Sequence, residues 1–153
     1  MKAHPIVYDP DCGFCRVCVA LVLSWDREGR LRPVALGTEE ANTMLAGMPE
    51  AEQMASWHLA QPRWQRNVAE SATILDHPER DAPVWSAGAA FSPLFRLLPG
   101  GGPLARLTDR FPGAANRGYR WVADRRSAFG RPIPDAVRRW ADRVISESER
   151  RSR

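Results

Sequence analysis

Ile6-Val7-Tyr8-Asp9-Pro10-Asp11-Cys12-Gly13-Phe14-Cys15 changes its periodicity midway. Ile6, Val7 and Tyr8 make a short β-type run that Asp9-Pro10 ends. From Gly13 onward the apolar residues take helical spacing, with Phe14, Val17, Cys18, Leu21, Val22 and Trp25 on one expected face. Asp26-Arg27-Glu28-Gly29 is the exit turn of that helix. Cys12 and Cys15, spaced C-x-x-C, therefore stand where a strand hands over to a helix.

Working outward, Leu31, Pro33, Val34, Ala35 and Leu36 form a second strand, and Thr38 is a plausible N-cap with Glu39 and Glu40 suited to a first helical turn. Strand, helix, strand, helix predicts an α/β sheet with parallel strands. Residues 55 to 60, with Trp57 and Leu59, are a third strand candidate, and Ala72 to Leu75 and Pro83 to Trp85 are two more. The stretch 62–83 is polar and carries Pro62, Pro78 and Pro83, which marks an insertion or a long hairpin. Helical spacing returns from Gly88 through Ala90, Phe91, Leu94, Phe95 and Leu98, and Pro99-Gly-Gly-Gly-Pro103 breaks it. Beyond that, Leu104 to Arg110, Asn116 to Ser127 and Asp135 to Glu149 are separate helices, punctuated by Pro112-Gly113 and by Gly130-Arg-Pro132. The expectation is a thioredoxin-like α/β fold, a small sheet flanked by helices with an all-helical C-terminal extension. Residues 1–102 form the core with the insertion at 62–83, and 103–153 pack on the same domain.

At 153 residues, 44% hydrophobic and 26% charged, the chain suits one domain with a real core. Residues 1–116 carry 11 basic and 13 acidic side chains, whereas 117–153 carry 11 and 5, so the basic part is C-terminal. No aromatic-basic platform accompanies those arginines, which argues against nucleic acid as a partner. Val137, Trp140, Ala141, Val144 and Ile145 give the last helix an apolar stripe beside Arg138, Arg139 and Arg143. Docking on the domain explains such a stripe; weak peripheral membrane binding is the alternative, diluted by Asp142, Glu147 and Glu149. Tyr119, Val122, Ala123 and Arg126 form another packed helix face. The opening residues hold no apolar run of the length a signal sequence needs, and no stretch approaches a membrane span, so a cytoplasmic protein is expected.

Three cysteines clustered at 12, 15 and 18 are not a disulfide framework and point to local chemistry. The beginning of a helix favours a thiolate, because its free N–H groups present positive potential there. That makes Cys12 the nucleophile. Cys15, one turn on, is the resolving thiol that attacks a mixed disulfide at Cys12. A C-x-x-C opening a helix after a strand is the arrangement of a thioredoxin-like redox motif. Gly13 permits close approach of a partner, and Phe14 shields one side of the pair. The Asp11 carboxylate opposes ionisation of Cys12 unless it turns away to cap the helix. Cys18, on the apolar face, is expected to pack. No cofactor is required. The rival class is a binding module in which Cys12, Cys15 and Cys18 hold zinc or an iron-sulfur cluster, with His4 or His58 as fourth ligand.

Tyr8-Asp9-Pro10-Asp11-Cys12-Gly13-Phe14-Cys15 resembles the opening motif of the DCC family of predicted thiol-disulfide oxidoreductases, also called DUF393. Trp57-His58-Leu59, Ser86-Ala-Gly-Ala-Ala90, Leu97-Leu-Pro99 and Tyr119-Arg-Trp-Val-Ala123 with Arg126 are similar to later segments of that family. The resemblance implies a thioredoxin-like fold, a redox pair at Cys12 and Cys15, and Asp9 and Asp11 as the family's acidic positions. Thioredoxin itself has a proline before the third strand that shapes the substrate groove; Ser56 or a neighbour takes that place here. Tyr8, Gly13, Phe14 and Ser56 are thus the substrate-groove candidates, for a protein or a small-molecule thiol or disulfide.

Overall fold

The computed structural model describes residues 3–62, 84–130 and 132–152, with Ser127 described by its backbone alone. Strand β1 (His4–Tyr8) leads into helix α1 (Gly13–Trp25) and strand β2 (Leu31–Ala35). Helices α2 (Glu39–Met44) and α3 (Glu50–Ala55) follow, then the short strands β3 (His58–Leu59) and β4 (Trp85–Ser86). A 3-10 turn, Ala87–Ala90, continues directly into α4 (Phe91–Leu97). The remainder is helical: α5 (Gly102–Arg110), α6 (Pro112–Asp124), α7 (Arg126–Gly130) and α8 (Asp135–Arg151).

The strands form one mixed sheet in the order β2-β1-β3-β4. Alternation along β1 supplies both faces with apolar side chains. Ile6 and Tyr8 join Val19, Ala20 and Leu23 of α1, Leu94 of α4, and Ala141 and Ile145 of α8 in the larger core. Val7 joins Val34, Ala41, Met44 and Leu45 in the smaller one on the opposite face. This is a thioredoxin-like α/β fold with a helical C-terminus. The stripe of α8 is spent on the core, and Arg16 at the front of α1 pairs with Asp142 of the same helix. No helix among the described residues is long and apolar enough to cross a membrane.

Two turns explain themselves locally. Thr38 Oγ1 accepts from the Ala41 N–H at 3.2 Å, the N-cap its position promised. Buried Asp26, just past α1, accepts from the Arg30 and Leu31 N–H groups at 3.1 and 2.7 Å, which satisfies donors at the start of β2.

Several expectations are corrected. Only β1 and β2 are parallel; β3 runs antiparallel to β1, and β4 to β3. The third strand is two residues long rather than spanning 55–60, because Glu50 to Ala55 form α3, whose first turn holds Glu50 and Glu52 where the helix dipole favours acids. Leu21 and Trp25 are exposed, whereas Val19, Ala20 and Leu23 are buried. The sheet and α8 cover α1 from two sides and leave its outer edge apolar but open; there the Trp25 indole N–H donates to the Pro99 carbonyl at 2.9 Å. Pro112-Gly113 opens α6 instead of ending a helix, since a first-turn proline sacrifices no helical hydrogen bond, and the expected Asn116–Ser127 helix divides at Arg125 into α6 and α7. The candidate strand at 72–75 and almost all of the insertion lie outside the described residues.

Helix α6 lies close against the 3-10 turn, and Gly88 is the reason. A Cβ there would stand 2.5 Å from Asn116 Cα and 2.8 Å from Asn116 N, so only a glycine lets the two backbones meet.

Candidate active site

The turn from β1 into α1 is closed by Asp9, whose Oδ1 accepts from the Asp11 N–H at 2.9 Å. Cys12 follows in extended conformation and is itself the N-cap: its Sγ accepts from the Cys15 N–H at 3.3 Å. The Cys15 thiol donates to the same sulfur, with the two Sγ atoms 2.6 Å apart. Both cysteines are half-buried and free. The sulfur of Cys12 thus receives two hydrogen bonds at a helix N-terminus.

The partner sulfur has the opposite environment. Burial pushes the Cys15 thiol far above its usual range, the hydrogen bond to Cys12 and the charge of Cys12 push the same way, and the Arg126 guanidinium opposes them. Cys18, one turn deeper, is pushed up to about 11, chiefly by burial.

The two aspartates part company. An oxygen of Asp9 and the sulfurs of Cys12 and Cys15 all lie within 4.8 Å of one another, a trio able to hold a metal ion. Asp11 is exposed, and the cap it was offered as belongs to Cys12. Cys18 and the two histidines are not gathered with that trio. His4 sits at the far end of β1, its Nδ1 3.3 Å from the Ala60 carbonyl. His58 is wholly buried with both ring nitrogens engaged: Nε2–H donates to the Gln53 carbonyl at 3.1 Å, and Nδ1 accepts from the Ser86 hydroxyl at 2.7 Å.

Burial disfavours the charged imidazole, and that makes stability depend on pH. Burial pushes the pKa of His58 below 6.5 against the pull of the Gln53 carbonyl, and burial lowers His4 likewise. The unfolded chain takes up these protons as pH drops through about 6.5, whereas the folded chain resists them, so stability is complete above that window and declines below it. Urea midpoints should hold level above about pH 7 and fall between roughly 6.5 and 5.5, still above the carboxylate range. A level midpoint across that interval would contradict the neutral assignment.

Beside the cysteines lies a cleft of about 640 Å³ between α1, α4 and α6. Tyr8, Phe14 and Ser56 line it, as do Cys15, Cys18 and Asp9; Gly13 and Cys12 do not, the Cys12 sulfur lying just behind that of Cys15 at 2.6 Å. Its walls are aromatic: Trp57 packs on Phe91 at 5.7 Å between ring centroids, Phe91 on Tyr119 at 6.1 Å, and Phe14 on Phe129 at 5.6 Å. Ser56 is extended and precedes β3, and no cis peptide bond occurs among the described residues. The next residue, Trp57, accepts at its carbonyl from the Ala87 N–H at 3.3 Å, and Tyr119 lines the cleft beside it.

Tyr119, Val122, Ala123 and Arg126, a packed face by their spacing, all line the cleft. Arg126 donates to the Met54 carbonyl at 3.1 Å, which fixes its charge near Cys15. The available signal was the recurrence of Trp57, Tyr119 and Arg126 in segments similar to one family. Residues 6–132 match a family model described as DCC1-like thiol-disulfide oxidoreductase. No curated protein and no solved structure matches the chain.

Proposed function

The chain belongs to the DCC1-like thiol-disulfide oxidoreductase family, and from that membership we propose that it exchanges disulfides through Cys12 as nucleophile and Cys15 as resolving thiol. The observation that carries this assignment is the inequality of the two sulfurs. Cys12 accepts hydrogen bonds at a helix N-terminus, while Cys15 is a half-buried donor whose own thiol is pushed up by desolvation. A thiolate that attacks and a thiol that waits are what a two-step exchange requires.

Each step has its residue. Cys12 attacks the substrate disulfide and is left in a mixed disulfide. Cys15 then sheds its proton and displaces the substrate's second sulfur. Arg126 favours the anion at that moment, against the desolvation that otherwise holds the Cys15 proton on. Asp9 holds the turn that presents Cys12 and is the acidic residue nearer the sulfurs; Asp11 faces solvent at the rim of the site. With no framework of structural disulfides among its three cysteines, we assign this activity to the cytoplasm.

A redox titration of the whole chain in dithiothreitol buffers, quenched with an alkylating reagent and read by intact mass, tests the proposal. The expected result is one two-electron transition that removes two alkylatable thiols, mapped by peptide digestion to Cys12 and Cys15. A transition involving Cys18, or none, would overturn it. The trio of Asp9, Cys12 and Cys15 supports a second reading as a metal site. Stoichiometric zinc or iron in anaerobically purified protein, lost in Cys12→Ser, would favour that reading instead.

A further inference from the structure

We propose, building on the exchange reading above, that the aromatic cleft beside Cys15 binds a small apolar disulfide and delivers its sulfur–sulfur bond to Cys12. The volume, about 640 Å³, falls within the range of small-molecule sites. Phe14, Trp57, Phe91, Tyr119 and Val122 supply an apolar wall, and the polar groups Asp9, Cys15 and Arg126 gather at the end where the sulfurs lie. Such a site grips an apolar body and orients one reactive end.

The strand edge argues against an extended polypeptide as the occupant. A peptide that adds to a sheet needs free backbone donors and acceptors. Trp57 precedes β3, which is already paired with β1 on one side and β4 on the other, and the Trp57 carbonyl is taken by the Ala87 N–H. Helix α6 builds the opposite cleft wall.

The reaction balances without a further reagent. The Cys12 thiolate attacks one sulfur of R–S–S–R, the bond between the two substrate sulfurs breaks, and the first thiolate leaves and takes up a proton from solvent. Cys15 gives its proton to solvent and attacks Cys12, releasing the second thiolate, which is protonated in turn. One disulfide is reduced to two thiols as Cys12 and Cys15 are oxidised to a disulfide. A dithiol reductant such as dithiothreitol restores the pair.

The test uses the pre-reduced full chain in single turnover with ethyl, butyl and hexyl 2-pyridyl disulfides, followed by thiopyridone release. Each methylene that enters an apolar site is worth about fourfold, so the hexyl reagent, four methylenes longer, should outpace the ethyl by roughly 250-fold, while free dithiothreitol shows no such trend. Gly118 lines the cleft and an added Cβ there meets nothing within 4 Å. Gly118→Leu should therefore place a side chain in the site, with a thermal midpoint that does not fall because the helix gains a better former, and collapse the hexyl-to-ethyl ratio below about threefold. A flat chain-length series in the unaltered protein, or a disulfide-linked peptide that reacts as fast as the hexyl reagent, would overturn the proposal. If no reagent in the series releases thiopyridone from Cys12, the exchange reading itself falls.

Discussion

Replacing Cys12 by serine should lower the rate of disulfide exchange by about a thousandfold or more, because a serine hydroxyl does not ionise where a thiol does. Cys15→Ser should fail differently. The first attack still occurs, since Cys12 keeps its place at the start of α1 and its bond from the backbone N–H of residue 15. The second attack does not, so the protein accumulates as a mixed disulfide instead of turning over. Intact mass after one equivalent of substrate distinguishes the two: no adduct for Cys12→Ser, and a persistent adduct of one substrate half for Cys15→Ser. Turnover of Cys15→Ser at the parental rate would remove Cys15 from the resolving role. A substantial adduct on Cys12→Ser would show that another thiol, Cys18 being the third available, is the attacking group.

The second large effect lies away from the sulfurs. Gly88→Ala would bring a methyl group to 2.5 Å from the Asn116 Cα, a backbone atom with no rotamer to change. Overpacking of this kind costs about 1 to 3 kcal/mol where side chains can adjust, and the upper end applies here because a helix must move. For a chain of this size that corresponds to a thermal midpoint lower by roughly 6 to 12 °C. A shift under about 2 °C would mean that α6 does not rest on the turn as described. The same displacement carries Tyr119 away from Trp57, so the variant should lose exchange rate as well as stability.

The parts of this molecule that were legible in the sequence are those set by near neighbours. The junction at Tyr8 to Cys12 announces itself through a change of period, Thr38 through its cap and two following acids, and α8 through its stripe. What was not legible depends on contacts far apart in the chain. Nothing around Leu21 or Trp25 indicates that α8 covers the opposite side of α1, and a two-residue strand such as His58–Leu59 has no period to detect. The site divides in the same way. Cys12 and Cys15 follow from spacing alone, whereas Arg126 and Tyr119 reach them only because Gly88 lets α6 settle across the end of the sheet. Asp9 and Asp11 look equivalent in the sequence, and the turn hydrogen bond is what separates them.

Among the described strands, β2 forms one border of the sheet, and Pro33 stands in the middle of it. A border strand presents a row of N–H groups onto which another chain can zip, and that is how native proteins begin to aggregate. Proline has no N–H to offer, so the row is interrupted at Pro33, and Arg32 beside it is held by Glu40 at 2.8 Å. The proposed exchange cycle passes through mixed disulfides, and a border strand that a second copy does not readily extend keeps the thiols of two molecules apart.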